Sequence, residues 1–349
     1  MAEDQQFHLA PQFRRVPLVV FTPHRAALWY PEVSLCTTIR LQEHLIVLSI
    51  DSPTDSRNLI HLDPDSPSAP VNFAPLEPAP RSDNDLSPAH ELDNNPRYLV
   101  LKHFQSRFLP DARDIEVYLP EAYTNDPARH FPVFYLHDGQ NLFDGRTSYI
   151  TDHTWQAHTT ADRLTREGLI EPVILVGVNN TRVRRMAEYT PTRDPRLGGG
   201  DGDLYGRLLV EELKPCIDRE FRTLPDAANT ALGGSSLGGL ISLYLGFTYP
   251  EVFSKIAAIS PSVWWNDRAI LRTSSAGHIR PNLRIWLDMG AAEGLRHLRD
   301  TDLLHRRLVQ SGWRNGIDLC YLRVPGGQHN EDAWAARFDQ VLRFLFPAR

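Results

Sequence analysis

The chain has 349 residues, 42% of them hydrophobic and 23% charged, and a formal net charge of −6. That suits a soluble globular protein with one large α/β domain and a smaller appendage. No Lys/Arg-rich arm or basic domain offers itself to nucleic acid, and no apolar run approaches the ~20 residues of a membrane span.

The stretch Met1–Ala10 has neither a basic start nor an apolar centre, so it does not read as a secretory signal. Cys36, Cys216 and Cys320 are widely spaced and odd in number, which makes neither a metal pattern nor a disulfide framework. Free thiols in a cytoplasmic protein are expected. Residues 1–96 differ in character from the rest. Val16–Phe21, Val33–Ile39 and Leu45–Ile50 have the apolar, β-branched content of short strands. From Asp51 to Pro96 the chain turns rich in Pro, Asp, Ser and Asn, which predicts an extended linker or a loosely packed cover. A small strand-rich module covering the main domain is the first reading of residues 1–96; a binding module is the second.

Residues 97–349 alternate strands with helices. Tyr98–Gln105 and Asp114–Tyr118 suggest an antiparallel hairpin, and Phe131–Leu136 and Pro172–Val178 suggest buried strands. His158–Glu167 can form a helix. Val210, Leu213, Ile217 and Phe221 share one helical face, with a kink expected at Pro215. A strand ending near Thr230–Leu232 leads into a turn, then a helix carrying Leu237, Leu240, Ile241, Tyr244 and Leu245. Strands at Lys255–Ile259, Leu283–Asp288 and Ile317–Val324 follow. Helices are expected over Leu298–Gln310, stopping near Gly312, and over a last segment with Trp334, Phe338, Val341, Leu342 and Leu345 on one face. This alternation predicts a mostly parallel central sheet with helices on both faces, and active residues beyond the carboxyl ends of the strands.

The turn after Leu232 contains G-x-S-x-G as Gly234-Ser235-Ser236-Leu237-Gly238. A strand–turn–helix context of this kind holds a serine on a strained backbone above the sheet. Ser236 is therefore the candidate nucleophile, against the alternative of a chance pentapeptide. A serine hydroxyl needs a base, and the base needs a partner. Among His278, His297, His305 and His329, the last follows a strand and a Pro-Gly-Gly-Gln turn and precedes the final helix, so it is the candidate base. His297 and His305 read as surface. Two carboxylates qualify as the acid. Asp288 lies at a strand end, sharing a face with Trp286, whereas Glu293 lies past Gly290 in a loop of small residues, with a longer reach. An oxyanion needs two donors. The N–H of Leu237 is one candidate. The N–H of Gln140 is the other, with Gly139 letting the backbone come close to substrate; the plainer reading is that Asp138 and Asn141 cap turns. No compact His/Asp spacing indicates a metal.

Four stretches carry a resemblance: Phe131–Asp144 (FPVFYLHDGQNLFD), Ala231–Gly239 (ALGGSSLGG), Ser260–Trp265 (SPSVWW) and Gly326–Asn330 (GGQHN). From about Arg97 to Phe346 the chain resembles an esterase family of α/β-hydrolases. That family includes enterochelin-type siderophore esterases, feruloyl and acetyl-xylan esterases, S-formylglutathione hydrolases and mycolyltransferases. The resemblance implies an α/β-hydrolase fold, Ser236 as nucleophile, His329 as base, and the Gly139–Gln140 and Leu237 backbone as oxyanion hole. It favours Glu293 as acid, through the match of Gly290-Ala-Ala-Glu293 to a Gly-x-x-acid loop. Some siderophore-esterase members work as Ser-His dyads, so the acid's role is the least fixed. Trp264 and Trp265 are expected to wall the substrate pocket, with core packing the alternative for one of them. Arg182, Arg184 and Arg185 read as a salt-bridged loop, or secondarily as an attractor of anionic substrate. The expected function is a serine esterase acting on a small-molecule carboxylic ester, with no cofactor and no nucleic-acid or membrane partner. Acyl transfer and a non-catalytic binding protein on the same fold are the alternatives. Neither the oligomeric state nor the ester is readable.

Overall fold

The computed structural model describes residues 36–41, 44–49, 92–273 and 282–348. The chain divides into two compact units, Met1–Asp83 and Asn84–Arg349. In the first, β1 (Cys36–Leu41) and β2 (His44–Ser49) pair antiparallel, Leu41 opposite His44. These are two of the three expected strands; Val16–Phe21 and the Pro-rich stretch up to residue 91 lie outside the described residues. In the second unit Leu92 is buried, and Asp93 pairs with Arg146 at 2.5 Å. The packed segment therefore begins before Arg97, earlier than composition suggested.

The larger unit is built on eight strands: β3 (Tyr98–Phe104), β4 (Arg113–Tyr118), β5 (Val133–His137), β6 (Ile174–Val178), β7 (Thr230–Ser235), β8 (Lys255–Ile259), β9 (Arg284–Gly290) and β10 (Leu319–Val324). Their order is β10-β9-β8-β7-β5-β6-β4-β3. Strands β5 to β10 run parallel to one another, while β4 is antiparallel to β6 and to β3. β6 is a short apolar run and β5 is one up to His137, its last residue; both are buried at every position, as a parallel strand covered on both faces must be.

Strand alternation sorts the core into two layers. Val133 and Tyr135 of β5, with Ile285 and Leu287 of β9, face a cluster that includes Tyr205, Leu209, Leu240, Leu304 and Leu308. Phe134, Leu136 and Trp286 face the opposite cluster, with Ala161, Leu164, Trp334, Phe338 and Leu345. Helices Gly202–Glu220, Leu237–Thr248 and Leu295–Gln310 thus cover one side. Ala157–Arg166 and Glu331–Leu345 cover the other. This is the α/β-hydrolase arrangement. Burying each such aromatic or aliphatic side chain is worth roughly 1.5–3 kcal/mol, so the central strands hold their loops in fixed places.

The kink expected at Pro215 takes the form of a wider turn. Residues Leu208–Leu213 are π-helical, and the Lys214 N–H donates to the Leu209 carbonyl. Pro215 has no N–H, and its ring crowds the carbonyl four residues back; a π turn relieves the crowding without ending the helix. Helix Leu295–Gln310 starts before the expected Leu298 and is followed, after Ser311, by Gly312, whose φ of 99° turns the chain away.

Candidate active site

Ser236 joins β7 to the helix Leu237–Thr248 with φ 59° and ψ −120°, a backbone that costs a non-glycine residue of order 1–3 kcal/mol. The neighbouring loop holds it there. Its N–H donates to the Ile259 carbonyl at 3.0 Å, and its carbonyl accepts from the Ser262 N–H at 3.0 Å. The hydroxyl is thereby lifted above the end of β7. His329, in the loop between β10 and the last helix, places Nε2 3.0 Å from Ser236 Oγ. Its Nδ1 lies 2.6 Å from Glu293 Oε2. The Ser262 hydroxyl is 3.4 Å from that of Ser236.

Glu293 curls back over the end of β9. Its Oε1 accepts from the Gly290 N–H at 3.0 Å and from the Ser260 hydroxyl at 2.5 Å. Burial pushes its carboxyl up, but the hydrogen bonds from His329, Ser260 and Gly290 outweigh burial and hold it below the usual range. Gly290 is required by close approach: a Cβ there would lie 2.4 Å from the Gly327 carbonyl oxygen and 2.5 Å from Glu293 Oε1. The turn that folds Glu293 back and the turn that carries His329 touch at this glycine.

Asp288, the other acid candidate, does not reach His329. It is wholly buried and lies on the Trp286 side of β9, as alternation predicts. Its carboxylate accepts from Trp286 Nε1 at 2.7 Å, from the Ser260 N–H at 3.1 Å and from Arg337 Nη2 at 3.0 Å. Burial raises its pKa, with Arg337 the main opposing influence.

Across the serine lies the turn Gly139–Asn141. Asp138 enters it in a left-handed conformation, φ 56°. Gly139 presses against β6, where a Cβ would stand 2.5 Å from the Gly177 carbonyl carbon. The Asp138 carboxylate does not cap the turn. It takes Arg185 through Nε and Nη2, each at 2.7 Å, and Asn180 Nδ2 at 2.7 Å. Burial raises its pKa, but Arg185 prevails and the net direction is down. Asn141 accepts the Tyr149 N–H and donates to Glu331, which ties this turn to the helix that begins just after His329. The N–H groups of Gln140 and Leu237 take no hydrogen-bond partner among the described residues.

The two tryptophans separate. Trp265 is buried and donates its indole N–H to the Thr192 carbonyl at 2.8 Å, so it belongs to the core rather than to a pocket wall. Trp264 is half-buried beside His297, ring centroids 6.4 Å apart. Of the arginines, Arg185 is spent on Asp138 and Arg184 pairs with Asp201 at 3.1 Å; Arg182 is exposed. His305 stacks on Tyr321 and meets Asn315, half-buried rather than free on the surface. His278 lies outside the described residues. Sequence reasoning passed over His137, a buried imidazole whose pKa burial lowers to about 3 and whose Nδ1 meets the Tyr205 hydroxyl. It also passed over Ser260, Ser262, Glu331 and Arg337. Ser260 and Ser262 stand in one of the stretches that carry the resemblance, and Arg337 left a signal of its own, a charge on the otherwise apolar stripe Trp334–Leu345.

Among the described residues no three His, Cys, Asp or Glu side chains are grouped to hold a metal, and no helix is long and apolar enough to cross a membrane. Cys216 and Cys320 are half-buried free thiols.

A strained serine at a strand–helix turn, an imidazole against it and a parallel sheet beneath define a protein of the α/β-hydrolase class. The chain belongs to the esterase family: the family model described as "Putative esterase" matches residues 106–345. It is 27% identical over 248 residues to "Uncharacterized protein YbbA" of Bacillus subtilis (strain 168), covering 67% of this chain and 92% of that protein. It is 31% identical over 148 residues to the siderophore triacetylfusarinine C esterase of Aspergillus fumigatus, covering 42% of this chain and 49% of that protein. Against the ferri-bacillibactin esterase BesA of Bacillus subtilis it is 28% identical over 178 residues, covering 46% and 57%. The matched region thus spans about half the length of these two siderophore esterases. The fold is similar to the crystal structure of the BES protein from Bacillus cereus, with a TM-score of 0.59, 23% identity, and 72% and 95% of the two chains covered.

Proposed function

We propose that this protein is a serine esterase that cleaves a small-molecule carboxylic ester through an acyl-enzyme. One observation carries the reading: the unbroken hydrogen-bonded line from Ser236 Oγ through His329 to Glu293, at 3.0 and 2.6 Å. His329 Nε2 takes the serine proton as Oγ attacks the ester carbonyl, and Glu293 holds the Nδ1–H and stabilises the imidazolium. The unused N–H groups of Gln140 and Leu237 are suited to the oxyanion. His329 then gives its proton to the leaving alcohol and activates water for deacylation. These steps call on the side chains, two backbone N–H groups and water. Trp264, half-exposed after Ser262, is the proposed wall for one half of the ester. Siderophore-type esters are the first substrates to try, because relatives carry that name.

The test is a hydrolysis screen of the whole chain over 4-nitrophenyl, feruloyl, acetyl-sugar and catecholate lactone esters. Turnover of at least one, with burst kinetics where deacylation is slow, is expected. A well-folded preparation inert on every ester would sink the reading.

Two further outcomes follow from the geometry. Gly290→Ala should lower kcat about a hundredfold, since its Cβ must displace Glu293 or the Gly327 backbone, and a ~1 Å displacement at a reacting centre costs about that much. A normal kcat would show that the two loops do not need this contact. The chemistry is also proposed to reside in the second unit. A chain starting at Asn84, which keeps Leu92 and Asp93, should retain kcat within about twofold; a folded truncation without activity would assign the first unit a part in the site.

A further inference from the structure

Ser260 stands behind the proposed acid and is 1% exposed. Its Oγ has three partners. It accepts from Arg337 Nη2 at 2.7 Å and from Trp334 Nε1 at 3.3 Å, and it lies 2.5 Å from Glu293 Oε1. Arginine and indole N–H groups only donate, so both lone pairs of Oγ are taken and its single proton must point at Glu293. The direction of this bond is therefore set by its neighbours.

Arg337 is fixed in turn. Asp288 accepts from its Nε at 3.1 Å and its Nη2 at 3.0 Å, while its Nη1 donates to the Ala333 carbonyl at 2.7 Å. Asp288 also accepts the Ser260 N–H at 3.1 Å, so the ion pair grips Ser260 at both its amide and its hydroxyl. Ser260 has φ 43°, a backbone that needs such anchorage. Arg337 is 2% exposed, and its Nη2 lies 3.8 Å from Glu293 Oε1.

We infer that Asp288, Arg337 and Ser260 form a positioning relay for Glu293. The inference deepens the esterase reading and rests on it for its kinetic arm. The relay does two things. It turns the carboxylate so that Oε2 faces His329 Nδ1. It also lowers the basicity of the carboxylate, through the Ser260 proton and the Arg337 charge. The two acid candidates of the sequence are thereby both engaged. Glu293 touches the base, and Asp288 acts on it through an arginine and a serine. The charged groups around this line are His329 from the β10 loop, Arg337 from the last helix, Asp288 from β9, and Glu331, whose charge His329 also feels.

Removing the Ser260 hydroxyl isolates the relay, because the Asp288–Arg337 pair and the Gly290 N–H contact remain. Ser260→Gly and Ser260→Ala both do so, and glycine suits the positive φ, so folding is kept in at least one of them. One hydrogen bond fewer on Glu293 makes it more basic and steadies the imidazolium. The expected results are a kcat about 3–10-fold lower with KM unchanged, and an acid limb of the kcat profile moved to higher pH by about half a unit. Arg337→Lys, which cannot reach Asp288, Ser260 and Ala333 together, should reproduce the moved limb. The low-field proton resonance of His329 Nδ1–H, measured in the whole chain, should shift or broaden in every variant. An unchanged resonance with an unmoved limb would overturn the relay, leaving Ser260 and Arg337 as packing alone. Should the wild type hydrolyse no ester, the esterase reading falls by itself, and the proton resonance still decides the relay.

Discussion

Ser236→Ala should leave a folded protein whose turnover on any ester substrate is lower by roughly 10⁶-fold. The size follows from what the hydroxyl does. Without it there is no acyl-enzyme, and His329 faces a methyl group where its Nε2 now lies 3.0 Å from Oγ. Stability should change little, because the turn is held by backbone bonds to Ile259 and Ser262 that alanine keeps. The check is kcat beside a thermal melt, on a preparation free of contaminating esterase. Retention of even about a tenth of wild-type turnover would remove Ser236 from the chemistry.

Glu293→Gln is expected to cost about 10³–10⁴ in kcat, the loss usual when the acid of a triad is removed. The geometry says why an amide fails. Glu293 accepts on both oxygens, from His329 on one side and from Gly290 and Ser260 on the other. A glutamine has one acceptor oxygen, so its NH2 must oppose either the imidazole N–H or the two donors behind it. The pH dependence of stability should change with it. Because the Glu293 pKa is depressed in the folded state, its contribution is present above the unfolded value of about 4.3 and lost as pH falls through the folded one. The glutamine variant should lack that part of acid destabilisation. Asp288→Asn should behave differently, because it strands the buried Arg337. Breaking such a pair costs about 3–5 kcal/mol, on the order of 10 °C in melting temperature for a domain of this size, with a smaller loss of kcat. A steep kcat loss confined to Asp288→Asn would transfer the acid's role; small losses in both would indicate a Ser236–His329 dyad.

Much of the fold was legible because local pattern and tertiary demand agree. Lys255–Ile259 is a strand in the sequence reading and in the structure, since a short apolar run between turn signals has no other stable use in the centre of a covered sheet. The turn at Ser236 was legible for the same reason. Alternation along β9 put Asp288 on the Trp286 face of the sheet rather than over its end, which favoured Glu293 without excluding Asp288. What pattern could not supply was who stands behind whom. Trp264 and Trp265 are neighbours in sequence, yet Trp265 enters the core and Trp264 stays half-exposed. Arg337 on an apolar stripe demands a buried anion, but nothing in the helix itself says that the anion is Asp288, far away on β9. That Leu92 and Asp93 pack with the second unit ahead of Arg97 does not show in composition, because a single buried leucine weighs little in a Pro-rich stretch.

The central claim is that Ser236 is an activated nucleophile, and covalent labelling tests it most directly. The whole chain is treated with a fluorophosphonate near neutral pH, digested, and mapped by mass spectrometry. The prediction is one stoichiometric adduct, on Ser236, lost in Ser236→Ala and strongly slowed when the imidazole of His329 is removed. An unlabelled Ser236 in folded protein, or an adduct at another serine, would contradict the account.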